Sequence, residues 1–353
     1  MNEEHGIGLL LSKTVHDEIG DRLSALARAS GHAVRFVVAP DRPGQALPAA
    51  AQASIRLAFY SRDIMQGSSK GAPSPASLAF FDILDAAPRA EWLHVCSAGT
   101  DNHLYQATLR RAVRLTTSSG SNAHPIAQTV VGAILAQTRG FMAWLGAQAE
   151  RRWRPLAPAQ VTRDLHEQTA VIVGLGPIGR ETGRLLKAVG LTTIGIRRGT
   201  GAVPHFDRVC GLDALDALLP TCDWLVLACP LTPETRMLLD TRRIALLPAR
   251  AGIANVGRGE LADESALAAA LRDGRLRSAY LDVFATEPLP EDSPLWTAPN
   301  TWISPHNAAA SPGNAARVTD IFLRNFMHWL NGEPFENDAT PSAHVGATDI
   351  RPT

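Results

Sequence analysis

The sequence predicts an α/β protein made of two units, each a parallel sheet wrapped by helices. Three observations carry that expectation. Short apolar runs alternate with helical patterns along most of the chain, the rhythm of strand–helix–strand crossovers. One run, Ala170–Val173, opens into Gly174-Leu-Gly-Pro-Ile-Gly179, and a helical pattern follows through Leu185, Leu186 and Val189 to a stop at Gly190. A length of 353 residues also exceeds what one core of usual size organises, so two domains are expected.

Taken in order, the first unit begins with a strand at Ile7–Leu11 and a helix from Asp17 to Ala29, ended by Gly31. Strands are then expected at Val34–Val38, Leu57–Tyr60, Trp92–Cys96 and Val113–Thr116, with a helical piece at Phe80–Ala87. The Pro-, Ala-, Gly- and Ser-rich stretches 40–53 and 65–77 read as loops. A helix starting after Asn122, carrying Ile126, Val130, Ile134 and Leu135, should run to about Gln148 and lead into the second unit. There the strands are expected at Ala170–Val173, Leu191–Ile196, Trp224–Ala228, Gly252–Asn255, Ala279–Val283 and Thr301–Ser304. A last helix, Val318–Leu330, is expected to return to the first unit and make it discontinuous. The expected partition is 1–120 with 308–353, and 121–307. The tail from Gly332 reads as an arm or as disordered.

The glycine motif has a mechanism. Its first glycine permits a tight strand-to-helix turn, its second lets a pyrophosphate approach the backbone, and its third lets helix and strand pack closely. The free N–H groups of the helix N-terminus favour phosphate, so Gly174, Gly176, Pro177, Ile178 and Gly179 are candidate dinucleotide contacts. About 20 residues on, an acid would bind the ribose hydroxyls. This chain instead reads Ile196-Arg197-Arg198-Gly199. Guanidinium groups hold a 2′-phosphate that a carboxylate would repel, so Arg197 and Arg198 favour NADP(H), with NAD(H) possible.

Ligands of open parallel sheets lie at the carboxyl ends of the strands. The polar residues expected there are Pro230 and Thr232, then Asn255 and Arg258, then Asp282 and Glu287, and finally His306. An arginine, an acid and a histidine at successive strand ends suit hydride transfer at a carbonyl beside a carboxylate. The cation grips the carboxylate, the histidine moves the proton, and the acid orients and charges the histidine. Each residue alone has a structural explanation; their joint placement is what points to a site.

Several separated motifs together resemble the D-isomer-specific 2-hydroxyacid dehydrogenases, including the glyoxylate/hydroxypyruvate reductases. They are Ser97-Ala-Gly-Thr-Asp101, Gly174–Gly179, Asn255-Val-Gly-Arg-Gly259, Leu281-Asp-Val-Phe-Ala-Thr-Glu-Pro288 and Ser304-Pro-His-Asn-Ala308. The resemblance implies two Rossmann-like domains, a discontinuous catalytic domain, an active site in the interdomain cleft and a homodimer. It also implies roles. Arg258 would bind the substrate carboxylate, His306 would be the acid/base and Glu287 its carboxylate partner. Asp282 would contact the nicotinamide carboxamide, and Ala98 and Gly99 would offer backbone N–H groups to the substrate. Many members of that family carry Asp where this chain has Arg197, so cofactor preference does not transfer from them. The implied substrates are small 2-ketoacids and 2-hydroxyacids. A dinucleotide-sensing corepressor, or a dehydrogenase of another oxyanion such as phosphite, would share much of this pattern.

Composition narrows the partners. Lys plus Arg and Asp plus Glu number 34 each, and 19% of residues are charged, so neither nucleic acid nor an anionic membrane is an expected partner. Cys96, Cys210, Cys222 and Cys229 lack C-x-x-C spacing, and three lie in or beside apolar stretches, so free buried thiols are expected rather than disulfides or a metal site. No segment approaches 18 continuous apolar residues and Ile7–Leu11 is too short for a signal peptide, so a cytoplasmic protein is expected.

Overall fold

In the computed structural model, the described residues are 6–45, 47–68, 72–100, 102–111, 113–199 and 201–340. They form two compact units, one made of the residues up to Ser121 together with those from Pro312 onward, the other of Asn122–Ser311.

The first unit contains β1 (Ile7–Leu11), α1 (Lys13–Ala29), β2 (Val34–Val38), α2 (Ala49–Ser54), β3 (Ile55–Tyr60), α3 (Arg62–Met65) and α4 (Pro75–Asp85). It continues with β4 (Trp92–Val95), α5 (His103–Leu109) and β5 (Arg114–Thr117). The strands form one sheet in the order β2-β1-β3-β4-β5, every pair parallel. Where helices depart from expectation, a cap explains it. Ser12 accepts the Val15 N–H and starts α1 four residues before Asp17. Ser74 caps α4 with Pro75 in its first turn, which moves that helix into the stretch expected to be loop. The short α2 likewise occupies the end of the 40–53 stretch, and α5 lay in no expected element.

The final helix of the chain, Asn314–Asn331, belongs to this unit. Val318, Phe322, Phe326 and Leu330, spaced four apart, turn one stripe into the core of the first sheet. Phe322 stacks on Phe59 with centroids 4.1 Å apart. Truncating a ring so enclosed costs about 3–5 kcal/mol. The segment beyond Gly332 also docks: Phe335 stacks on Trp92 at 4.7 Å, and Arg324 pairs with both carboxylate oxygens of Glu336 at 2.9 and 3.0 Å. Up to Thr340 this is a packed strap rather than a loose arm; the rest of the expected tail lies outside the described residues.

The second unit holds α6 (Ala123–Thr138), α7 (Phe141–Ala149), β6 (Thr169–Val173), α8 (Pro177–Ala188), β7 (Thr192–Ile196) and β8 (Arg208–Cys210). It then runs through α9 (Leu215–Leu218), β9 (Trp224–Leu227), α10 (Thr241–Leu246), β10 (Gly252–Asn255), α11 (Glu264–Arg272), β11 (Ser278–Leu281) and β12 (Thr301–Ile303). The final helix of the first unit is thus α12. The order β12-β11-β10-β9-β6-β7-β8, all parallel, is a doubly wound sheet whose direction of winding reverses between β6 and β9. The single helix expected from Asn122 to Gln148 is two helices. Gly140 breaks it with φ 77°, a conformation that costs L side chains more than glycine. Val130 and Ile134 of α6 pack with Ile172, Leu186 and Trp224, so α6 is a layer of this unit, and Ala308 lies in the same core.

Among the described residues no single helix is long and apolar enough to cross a membrane; α6 and α7, bent by 70°, pass that test only as a pair.

Candidate active site

At the point where the second sheet reverses its winding, the motif glycines divide into two kinds. Gly174 has φ 97°, and a Cβ there would lie 2.6 Å from the Cys229 backbone at the end of β9. A Cβ on Gly179 would lie 1.9 Å from the Gly174 carbonyl oxygen. Both are demanded by the fold. Gly176 differs: nothing lies within 4 Å of where its Cβ would be. It is the N-cap of α8 with Pro177 next, so open space faces the exposed N–H groups of a 12-residue helix. Such a helix start, with Ile178 in its first turn, could hold a diphosphate, and its donors fit a dinucleotide.

Arg197 and Arg198 follow β7 and are exposed. The Arg197 N–H donates to the Cys210 carbonyl at 3.0 Å, so β8, which no sequence pattern announced, holds this turn in place. Arg198 Nη2 lies 4.0 Å from Glu234 Oε2, in the loop after β9. Pro230 begins that loop, and its carbonyl accepts the Thr235 hydroxyl at 2.7 Å.

The loops after β10, β11 and β12 converge. Asn255, buried at the end of β10, donates to the Arg258 carbonyl at 2.9 Å and accepts the Gly257 N–H at 3.1 Å. This shapes the turn carrying Arg258, whose Nη1 donates to the Gly257 carbonyl at 2.7 Å. A Cβ on the next residue, Gly259, would lie 1.9 Å from the Phe284 carbonyl carbon. The arginine turn therefore rests backbone to backbone on the loop that leads to Glu287.

Glu287 Oε1 accepts the Phe284 N–H at 3.0 Å, while Oε2 lies 2.9 Å from His306 Nδ1. An ionised carboxylate only accepts, so Nδ1 carries hydrogen and Nε2 is left for other partners. The hydrogen bond that the imidazole donates to Glu287 holds its pKa above the ordinary 6.5, with the charges of Glu287 and Asp282 adding to it; burial and the Arg258 charge oppose the rise.

His306 sits in the left-handed region with φ 53°, and its N–H donates to the Asp282 carbonyl at 2.8 Å. The Asp282 carboxylate is buried, and a single oxygen, Oδ1, accepts the Ser304 hydroxyl at 2.6 Å and the Asn307 and Ala308 N–H groups at 2.8 and 2.9 Å. Tyr280 OH, 2.8 Å from Ser304 Oγ, extends the chain. Asp282 thus organises the histidine loop, a role the sequence reading did not give it. Ser304 and Tyr280 were missed as its supports, since only the strand register brings them together.

The structure therefore joins Asp282, Glu287 and His306 by direct contacts, with Arg258 on the abutting turn. Ala98 and Gly99 belong to the first unit, just after β4, where the Ser97 hydroxyl donates to the Gly99 carbonyl at 2.9 Å and the Ser97 carbonyl accepts the Ser118 N–H at 2.9 Å. Among the described residues no group of three or more His, Cys, Asp or Glu side chains could hold a metal ion.

Comparison with known proteins agrees with the geometry. The family described as "D-isomer specific 2-hydroxyacid dehydrogenase, NAD binding domain" matches residues 131–308. A glyoxylate/hydroxypyruvate reductase B from Klebsiella pneumoniae is 31% identical over 264 residues, 73% of this chain and 81% of that one. A D-3-phosphoglycerate dehydrogenase from Methanocaldococcus jannaschii is 28% identical over 72% of this chain, which spans only 48% of that longer relative. Among solved structures, the D-isomer specific 2-hydroxyacid dehydrogenase from Xanthobacter autotrophicus Py2, in complex with NADPH and MES, superposes with a TM-score of 0.72 at 28% identity, covering 96% of this chain and 99% of that one. The chain belongs to the D-isomer-specific 2-hydroxyacid dehydrogenases, oxidoreductases of small 2-hydroxy- and 2-ketoacids that use a nicotinamide dinucleotide.

Proposed function

We propose that this enzyme is an NADPH-preferring reductase of small 2-ketoacids, glyoxylate and hydroxypyruvate foremost, yielding D-2-hydroxyacids. The observation that carries the reading is the Glu287–His306 contact beside the Arg258 turn. The second unit binds the dinucleotide, its phosphates at Gly176, Pro177, Ile178 and the α8 N-terminus, and its 2′-phosphate at Arg197 and Arg198. Pro230 would help hold the cofactor, and Asp282 would contact the nicotinamide carboxamide. When bound, the cofactor supplies the hydride that reaches the keto carbon. Arg258 grips the substrate carboxylate with its planar fork and draws charge onto the keto oxygen. Ala98 and Gly99, in the first, substrate-binding unit, are further proposed substrate contacts through their N–H groups. His306 gives its Nε2 proton to the oxygen as the hydride arrives, and Glu287 stabilises the imidazolium beforehand. In oxidation the same nitrogen takes the proton back.

The NADPH complex of the Xanthobacter relative and the paired arginines support the preference. The test is steady-state oxidation of NADPH and of NADH with glyoxylate, hydroxypyruvate, pyruvate and phenylpyruvate. Turnover with NADPH favoured is expected. NADH favoured would discard the role of Arg197 and Arg198, and no turnover despite cofactor binding would discard the substrate class.

The enzyme acts as a homodimer in this reading, because Phe141, Met142, Trp144 and Leu145 on α7 leave an apolar face exposed. Light scattering should give twice the chain mass, and Trp144→Glu with Leu145→Glu should give monomers. The four free, buried cysteines fit a reducing cytoplasm.

A further inference from the structure

A parallel sheet has two ends, and the residues just before the strands of the second sheet make a group of their own. Gln168 precedes β6, Asp223 precedes β9, Arg250 lies two residues before β10, Arg277 precedes β11 and Asn300 precedes β12. All of them line one cavity of about 640 Å³, within the size range of small-molecule sites. Arg163 and Arg272 line it too, so four arginines and one aspartate are among its lining residues.

That carboxylate is already committed. Asp223 Oδ1 takes Arg163 Nη2 at 2.5 Å and Arg250 Nε at 2.8 Å, and Oδ2 accepts the Thr169 N–H at 2.9 Å. Arg272 and Arg277 pair with no carboxylate among the described residues. Arg277 is the more telling of the two. Its guanidinium lies 4.8 Å over the Trp224 ring, and its Nε and Nη2 are sealed from solvent without any hydrogen-bond partner. Burial pushes its pKa below the ordinary 12.5; the Asp223 charge opposes the fall and the Arg163 charge adds to it. Two donors of the part-buried Arg277 without partners, and four arginines around a single aspartate, leave this cavity with an excess of positive charge that an anion would balance.

We propose that this cavity binds a phosphate dianion, free or as the monoester of a small molecule, with Arg277 and Arg250 as its principal ligands. Arginine forks match the oxygens of phosphate two at a time, and a dianion balances more of the excess charge than a carboxylate would. The cavity lies at the amino ends of the strands whose carboxyl ends carry Arg258, Asp282 and His306, so it is separate from the reaction site.

The test is thermal unfolding and calorimetric titration of the NADPH-saturated protein with inorganic phosphate and with glycerol 3-phosphate, against chloride at matched ionic strength. NADPH occupies the nucleotide site, and Arg258→Gln reports any binding at the ketoacid site. Arg250→Gln leaves Asp223 with Arg163 and Thr169, and Arg277→Met removes a part-buried charge with two unpartnered donors at similar volume, so both should fold. Expected is a dose-dependent rise in Tm in the native protein and in Arg258→Gln, with affinity at least about tenfold weaker in Arg250→Gln and Arg277→Met. Tighter binding of the ester would mark an organic phosphate as the ligand, and equal binding free phosphate. No shift beyond chloride overturns the proposal. So does a shift retained in Arg250→Gln and Arg277→Met, or one abolished by Arg258→Gln.

Discussion

His94 and His306, one from each unit, contrast a structural imidazole with one proposed to carry the chemistry. His94 lies inside β4, fully buried, with hydroxyl partners only: Thr116 Oγ1 at 2.7 Å from Nδ1 and Ser118 Oγ at 3.0 Å from Nε2. Burial pushes its pKa down to about 3, so it stays neutral and spends both nitrogens on holding β4 to β5 and the turn beyond. His306 lies beyond β12 with its side chain 51% exposed and Glu287 on one nitrogen only. Its pKa rises instead, and the other nitrogen is the one proposed to move the proton. The difference is not burial alone. It is whether a carboxylate comes with the ring.

The largest expected effect breaks the pair apart by mutation. His306→Gln should lower kcat for ketoacid reduction by about 10²–10⁴-fold with little change in folding, the usual worth of a positioned acid. His94→Phe should do the reverse, leaving kcat near normal while destabilising the protein by about 1–3 kcal/mol through hydroxyls left unpaired. Equal losses of turnover in both variants would erase the distinction.

A pH series sharpens it. The folded pKa of His94 is depressed, so between pH 6.5 and about 3 the unfolded chain binds a proton that the folded one refuses. Stability should then fall by about 1.4 kcal/mol per unit as pH drops through that window, a slope that His94→Phe would remove. His306 has the opposite sign. Its raised pKa contributes stability below 6.5 that is lost as pH rises through the folded value. Reduction should lose rate over that same alkaline step, and Glu287→Gln should move the step toward lower pH. A step that stays put in Glu287→Gln would detach the carboxylate from the proton.

The smallest effect concerns side chains with neither kind of support. Arg197 and Arg198 are exposed, and replacing both by Gln should weaken NADPH binding about tenfold while leaving NADH nearly unchanged. Equal weakening of both cofactors would show that they do not recognise the 2′-phosphate.

Much of this was readable from the chain because it depends on local order. Every strand of the two sheets but β8 announces itself as an apolar run, and the doubly wound second sheet follows from the glycine motif and its spacing. Glu287 and His306 could be singled out because each follows a strand, and they do touch. What escaped depends on distant partners or single residues. One residue, Gly140, bends the α6–α7 path, and β8 is only three residues long, too short for a periodic signal. The Tyr280–Ser304–Asp282 chain exists only through the alignment of β11 on β12, which pairs Leu281 with Ile303. No spacing within one strand reveals that.

Gly259 has a consequence for how this enzyme could change. With no room for even a methyl group between it and the Phe284–Ala285 backbone, the arginine turn and the glutamate loop are a single interlocked part. Neither can be lengthened, exchanged with a relative's or reshaped without the other following. Variation in substrate choice, by evolution or by engineering, would have to come from elsewhere or move residues 255–261 and 282–288 as one module.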